Sequence, residues 1–216
     1  MSDLPVLYDY WRSSASYRVR IALNLLGLRY EARPVNLLTG AHRAADYLKI
    51  NPQGILPSLE IDGHRLTQSL AIIEYLHATR NGSTLLPADP IGQHSTRQLS
   101  YAIAMEIHPV CNLGVAAHVV GLTEGGAAEK KAWMQHFIAP GLAAFEALMA
   151  QGDATDFCLG DTPTMADCCL IPQLYNADRW GVDYASHARI SRIAASAQDH
   201  PAFAAAHPDE VGLSSE

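Results

Sequence analysis

The residues of this sequence best suited to chemistry are hydroxyls, amides and guanidiniums. Ser13-Ser14-Ala15-Ser16-Tyr17-Arg18 stands where a short strand-like run, Leu4 to Tyr10, gives way to helical periodicity. A helix start offers unpaired N–H groups and the positive end of the helix dipole. A thiolate held there is stabilised and its pKa falls. A hydroxyl that donates a hydrogen bond to the sulfur favours the charged form further. A serine in this segment would therefore activate a bound thiol without being a nucleophile itself. The plainer reading of the same serines is helix capping.

Three other segments draw notice. Gln68-Ser69 opens a second helix straight after a strand, so the Ser69 hydroxyl and N–H and the Gln68 amide could hold a carboxylate, or simply cap. In Ile55-Leu56-Pro57 a proline at the head of a strand implies a turn or a cis bond, and extended main chain there could pair with a peptide-like ligand. Thr164-Met165-Ala166-Asp167 has capping-box spacing ahead of an apolar run and reads as structural, with Pro172 expected to kink the helix that follows. The histidines are scattered without metal-ligand spacing, so no metal is expected. Cys111, Cys158, Cys168 and Cys169 form no C-x-x-C pair and read as free thiols of a reducing cytosol.

The elements that must position these groups follow from the pattern. Val19, Ala22, Leu23 and Leu26 mark an amphipathic first helix, capped by Ser13 or Ser14 and ended at Gly27. Tyr30–Leu37 reads as a strand and Ala44–Lys49 as a short helix. Leu56–Ile61 and His64–Thr67 flank Asp62-Gly63, a hairpin signal, and a helix from Ser69 carries Leu70, Ile73 and Leu76. The order β-α-β-α-β-β-α predicts a small mixed sheet with helices on both faces. Asn81-Gly82-Ser83 and Pro87-Ala88-Asp89-Pro90 read as a linker, separating domains 1–82 and 90–216. Residues 91–119, 127–150, 164–179 and part of 186–206 are Ala-rich and helix-like, so the second domain is expected to be all-α, with the last ten residues loose.

Composition sets the outer limits. A chain of 216 residues with charge −7 can bury a real core and is a poor nucleic-acid binder. No apolar run approaches membrane-spanning length, and Met1 to Pro5 lacks the features of a secretory signal.

Taken in order, these pieces resemble the glutathione transferases, the zeta class above all, over about Leu4 to Pro208. The segment Arg12-Ser13-Ser14-Ala15-Ser16-Tyr17-Arg18-Val19-Arg20-Ile21-Ala22-Leu23 is similar to the zeta pattern Ser-Ser-Cys-Ser-Trp-Arg-Val-Arg-Ile-Ala-Leu. Asn51-Pro52-Gln53-Gly54, Leu56-Pro57 and Gln68 through Leu76 are similar to the family's glutathione-site pattern. The resemblance implies a thioredoxin-like N-terminal domain, an all-helical C-terminal domain, glutathione as cofactor and a cytoplasmic homodimer. It implies that Ser13 and Ser14 orient and activate the glutathione thiol, that Gln68 and Ser69 hold the γ-glutamyl carboxylate, and that Leu56, before a cis-Pro57, pairs with the cysteinyl backbone. His42 and Gln53 would reach the glycyl end. Glu106, His108 and Asn112 would line the cleft from the helical domain. Arg12 and Arg179 would hold the carboxylates of a small acidic keto-acid substrate.

The implied activity is cis-to-trans isomerisation of maleylacetoacetate in tyrosine and phenylalanine breakdown. Maleylpyruvate is the alternative substrate, and a conjugating transferase and a non-catalytic glutathione binder are the remaining alternatives. Two departures stand out. Ala15 replaces the cysteine of the zeta pattern, and Leu113-Gly114 follows Asn112 where some maleylpyruvate-directed members carry a basic pair.

Overall fold

The computed structural model describes residues 4–213. It divides into two compact units: residues up to Leu86 together with those from Gln198 onward, and Pro87–Ala197.

The first unit is built on β1 (Val6–Asp9), α1 (Ser14–Leu25), β2 (Glu31–Pro34), α2 (Ala45–Leu48), β3 (Ser58–Ile61), β4 (His64–Thr67) and α3 (Ser69–Thr79), with a 3-10 turn at Ala41–Arg43 ahead of α2. The four strands lie in the order β2-β1-β3-β4, β1 and β2 parallel and the other pairs antiparallel. This is the small mixed sheet that the sequence order predicts, in the thioredoxin-like form that the resemblance implies. Strand alternation places Val6, Tyr8 and Tyr10 with Tyr47 and Leu56 on one face. Asp9, on the opposite face, meets Arg20 of α1. The hairpin turns at Asp62 and Gly63, both at positive φ (53° and 76°). β2 is an exposed edge that ends at Pro34, where a missing N–H costs no ladder bond.

The chain returns to this unit at its end. α9 (Pro201–Ala204) and α10 (Pro208–Leu213) follow the close of α8 (Ala188–Asp199). Asn24 Nδ2 donates to the Ala202 carbonyl at 3.1 Å, and Arg20 Nε donates to the Ala206 carbonyl at 3.1 Å. A side chain at Gly212 would press on the Trp11 ring, its Cβ 3.2 Å from Cε3. The reading of 90–216 as one helical domain thus overlooks that α1 carries donors for these carbonyls. The expectation of a loose tail is also corrected. Residues 208–213 are helical, opened by Pro208, with Asp209 and Glu210 in the first turn and the Asp209 N–H donating to His207 Nδ1. The final three residues lie outside those described.

The second unit is helical among the described residues: α4 (Pro90–Tyr101), a π segment (Ala102–Ile107), α5 (Leu113–Leu122), α6 (Ala127–Met149), α7 (Met165–Trp180) and most of α8. The helix-like stretch 91–119 is helical but not continuous. Pro109 brings no N–H, the His108 N–H reaches back to Ile103, and Asn112 caps a new helix by accepting from Val115 N at 3.0 Å. α6 closes on the π segment because residue 141 is glycine: a side chain there would run into Ile107. α7 continues through Pro172 and stops on Gly181 at φ 66°.

The capping box forms as read from the sequence. Asp167 Oδ2 accepts from Thr164 N at 2.8 Å and Thr164 Oγ1 at 3.0 Å, and Oδ1 accepts from Cys158 N at 2.8 Å. Asp167→Asn sets an amide NH2 against the Thr164 N–H. The buried donor that loses its partner should cost about 2 kcal/mol, seen as a lower urea midpoint; an unchanged midpoint would show that the box carries no stability.

Candidate active site

α1 begins where the sequence places it, and the structure separates the two serines. Ser13 is the N-cap: its Oγ accepts from Ser16 N at 3.2 Å. Ser14 is the first helical residue, half-buried, and takes no part in the cap. Its hydroxyl therefore stands at the positive end of α1, available to a ligand. Two residues earlier, Arg12 stacks on the Trp11 ring at 4.6 Å and donates to Tyr10 Oη at 3.2 Å. No carboxylate pairs with Arg12 among the described residues.

The second helix start lies beside the first. Ser69 opens α3 and is buried, and its Oγ accepts from Arg18 Nη1 at 3.2 Å. Arg18 is one turn beyond Ser14 on α1, so both point to the same side of that helix. Gln68 sits at φ +68°, ψ 109°, a strained conformation for a residue with a side chain. Its exposed amide donates to Gln53 Oε1 at 2.9 Å.

The segment between these helices is fixed from beneath. Leu56-Pro57 is cis. The β1–β3 ladder ends at Tyr8 and Ser58, so the main chain of Leu56 lies beyond the paired register. Tyr47 Oη and Asn51 Nδ2 both donate to the Ile55 carbonyl at 2.8 Å, and Asn51 Oδ1 accepts from Gln53 N at 3.1 Å. Tyr47 is buried, which raises its pKa and keeps it a donor at neutral pH. Gly54, at φ +60°, lets the 3-10 turn approach: a Cβ there would be 3.1 Å from the His42 carbonyl. Arg43 Nη1 donates to the Gln53 carbonyl at 3.3 Å. His42 Nδ1 is buried and meets no partner. Burial first, and Arg43 second, hold its pKa below the usual histidine range, so the ring is neutral at pH 7.

Ser14, Arg18, Ser69, Gln68, Gln53 and the His42 turn thus follow one another along one edge of the first unit. Two helix N-termini, an unpaired main-chain segment and an orphaned imidazole nitrogen suit an extended, peptide-like anion. The other sequence candidates belong to the second unit. Glu106 is exposed in the π segment, and His108 follows it, half-buried. The Asn112 side-chain oxygen caps α5 by accepting from Val115 N, which leaves its amide NH2 as the group it can offer a ligand. Arg179 is exposed in the last turn of α7.

Sequence reasoning missed Tyr47, Asn51, Arg18 and the Arg20–Asp9 pair. The signal for the arginines was present: Arg18 and Arg20 interrupt a run from Ala15 to Leu23 that is buried throughout. A charge inside such a run needs a partner.

This site and this fold define a class. Residues 6–78 match the glutathione S-transferase N-terminal domain model, and residues 128–206 match the C-terminal domain model. The chain belongs to the glutathione S-transferase family. It is 58% identical to the maleylacetoacetate isomerase of Rhizobium meliloti (strain 1021), covering 98% of this chain and 99% of that one. It is similar to a solved holo structure of a bacterial zeta-class maleyl pyruvate isomerase, with TM-score 0.92, 36% identity, and 95% and 97% of the two chains covered. It is also similar to the maleylacetoacetate isomerase of Anaeromyxobacter dehalogenans 2CP-1 with glutathione bound in its active site, with TM-score 0.87, 39% identity, and 97% and 98% covered.

Proposed function

We propose that this chain isomerises maleylacetoacetate to fumarylacetoacetate with glutathione as a recycled cofactor. The observation that carries the reading is the Ser14 hydroxyl at the opening of α1, left free by the Ser13 cap and followed along one edge by groups matched to a tripeptide. The high identity to maleylacetoacetate isomerases over nearly the whole chain supports the substrate.

In this reading Ser14 donates to the glutathione sulfur and holds it ionised. Ser69, its backbone N–H and Gln68 bind the γ-glutamyl carboxylate. The Leu56 main chain pairs with the cysteinyl unit, with Pro57 setting its direction, and His42 and Gln53 receive the glycyl end. When bound, glutathione would supply a thiolate for reversible addition to the olefin carbon conjugated to the substrate's carbonyls; rotation about the resulting single bond and expulsion of the thiolate would leave the trans alkene. Arg12 holds a substrate carboxylate and offsets the charge that develops on the substrate oxygen; a guanidinium fork matches both tasks. Arg179, Glu106, His108 and Asn112, all in the second unit, are the remaining candidates for contact with the substrate. The protein works as a homodimer in the cytosol, a reading supported by the habit of the family and, for the compartment, by four buried cysteines without C-x-x-C spacing.

Maleylpyruvate is the competing substrate, favoured by the similarity to a maleyl pyruvate isomerase structure. Assay of both cis diacids with glutathione decides. Maleylacetoacetate should turn over with the higher kcat/KM, and rates no greater than in glutathione buffer for either diacid would end the isomerase reading. Arg12→Met should raise the apparent KM for the diacid about tenfold, the scale of a lost charge-assisted pair. It should leave glutathione affinity nearly unchanged; a parallel loss of that affinity would remove Arg12 from the substrate side.

A further inference from the structure

We infer that Arg18, buried between the two helix starts, is a positioning residue that sets the Ser69 hydroxyl as a donor to the γ-glutamyl carboxylate. The inference rests on glutathione being the ligand.

Ser69 Oγ can donate one hydrogen bond and accept two. Arg18 is a donor only, so the 3.2 Å contact uses the oxygen as acceptor. Ser69 is the first residue of α3, so no helical carbonyl lies one turn back to take its proton. The hydroxyl is thereby left with one use, donation to an acceptor that arrives from outside. The Arg18 guanidinium also places a full positive charge behind the N-terminus of α3, where the dipole already favours an anion. Both partners are nearly inaccessible, Arg18 at 2% and Ser69 at 6%, so the charge acts through protein more than through water. Arg18 lies on α1 one turn past Ser14. The residue that readies the carboxylate site is thus on the same helix as the residue proposed to ready the sulfur.

The experiment is isothermal calorimetry with two probes: glutathione, and the analogue whose γ-glutamyl α-carboxylate is converted to the primary amide. Wild-type protein should bind glutathione at least about tenfold more tightly than the amide. Arg18→Met should weaken glutathione and leave the amide nearly unchanged, bringing the ratio toward one; Arg18→Lys should keep most of it. Ser69→Ala should lower the ratio as well, and the double variant should be little worse than the poorer single one. A merely structural arginine would weaken both probes alike, and that outcome overturns the inference. If Arg18→Met does not fold, an unchanged ratio in Ser69→Ala overturns it by itself. A wild-type protein that binds glutathione without preferring it to the amide also overturns it, whereas a wild-type protein that binds neither probe overturns the glutathione reading on which it rests.

Discussion

Ser14→Ala should cut isomerase turnover by about 10- to 100-fold while glutathione affinity changes much less. A hydrogen bond to a charged group contributes about 1.5–3 kcal/mol, which is about one to two units in the pKa of the bound thiol. The bound thiol should therefore titrate that much higher in the variant, read from the ultraviolet absorbance of the thiolate against pH. Affinity is buffered because the carboxylate and main-chain anchors are separate from the sulfur. Ser13→Ala provides the control, because Ser13 is the cap of α1 and its oxygen already accepts from Ser16 N. That variant should lose about 1 kcal/mol of stability with a smaller shift of the thiol. An equal shift in the two variants would mean that the helix start, and no single hydroxyl, ionises the sulfur. With Ala15 in place of the cysteine of the zeta pattern, no enzyme thiol at that position can mask the result.

The contrast between these serines marks where sequence reading stops. Two adjacent hydroxyls before a helix are equivalent as letters. Which one caps depends on backbone dihedrals, and only Ser13 has the extended conformation (φ −71°, ψ 115°) that turns its oxygen onto the first turn. The strands and the hairpin were legible because period-two alternation and Asp62-Gly63 are local signals. The break at Pro109 was less so. Ala-rich periodicity runs past it, and the residues buried in the π segment, Ile103 and Ile107, stand at a spacing that an α-helix also gives. Asn112 shows the same limit: its letter does not announce that its side-chain oxygen is the cap that restarts the chain.

Long-range partners were beyond the reach of any local pattern. Asn24 and Arg20 find their carbonyl acceptors at Ala202 and Ala206, far along the chain. Nothing in the sequence near either donor announces the other. Consequently the return of the C-terminal segment to the first unit was invisible, although the helices of that segment were expected in part.

The most severe loss of stability should come from Arg20→Met. The Arg20 side chain is 0% exposed and that of Asp9 4%, and Nη1 lies 2.8 Å from both carboxylate oxygens. The same guanidinium donates to the Trp11 carbonyl at 2.9 Å and to the Ala206 carbonyl at 3.1 Å. Methionine fills much of the volume but leaves Asp9 as a buried charge without its cation, and removal of one partner of such a pair costs about 3–5 kcal/mol. Against a typical net stability of about 5–15 kcal/mol, the urea midpoint should fall steeply. Arg20→Met combined with Asp9→Leu should recover part of the loss, because an apolar replacement of a buried pair is often close to neutral. Recovery should be incomplete, since the Trp11 and Ala206 carbonyls still lack their donor. The Trp11 bond also ties the pair to the site: it anchors the turn that carries Arg12, Ser13 and Ser14. The double variant, once folded, should therefore show a raised KM for the diacid. A single variant that loses less than about 1 kcal/mol, the scale of an exposed pair, would show that water reaches Asp9 and that the turn is held by other means.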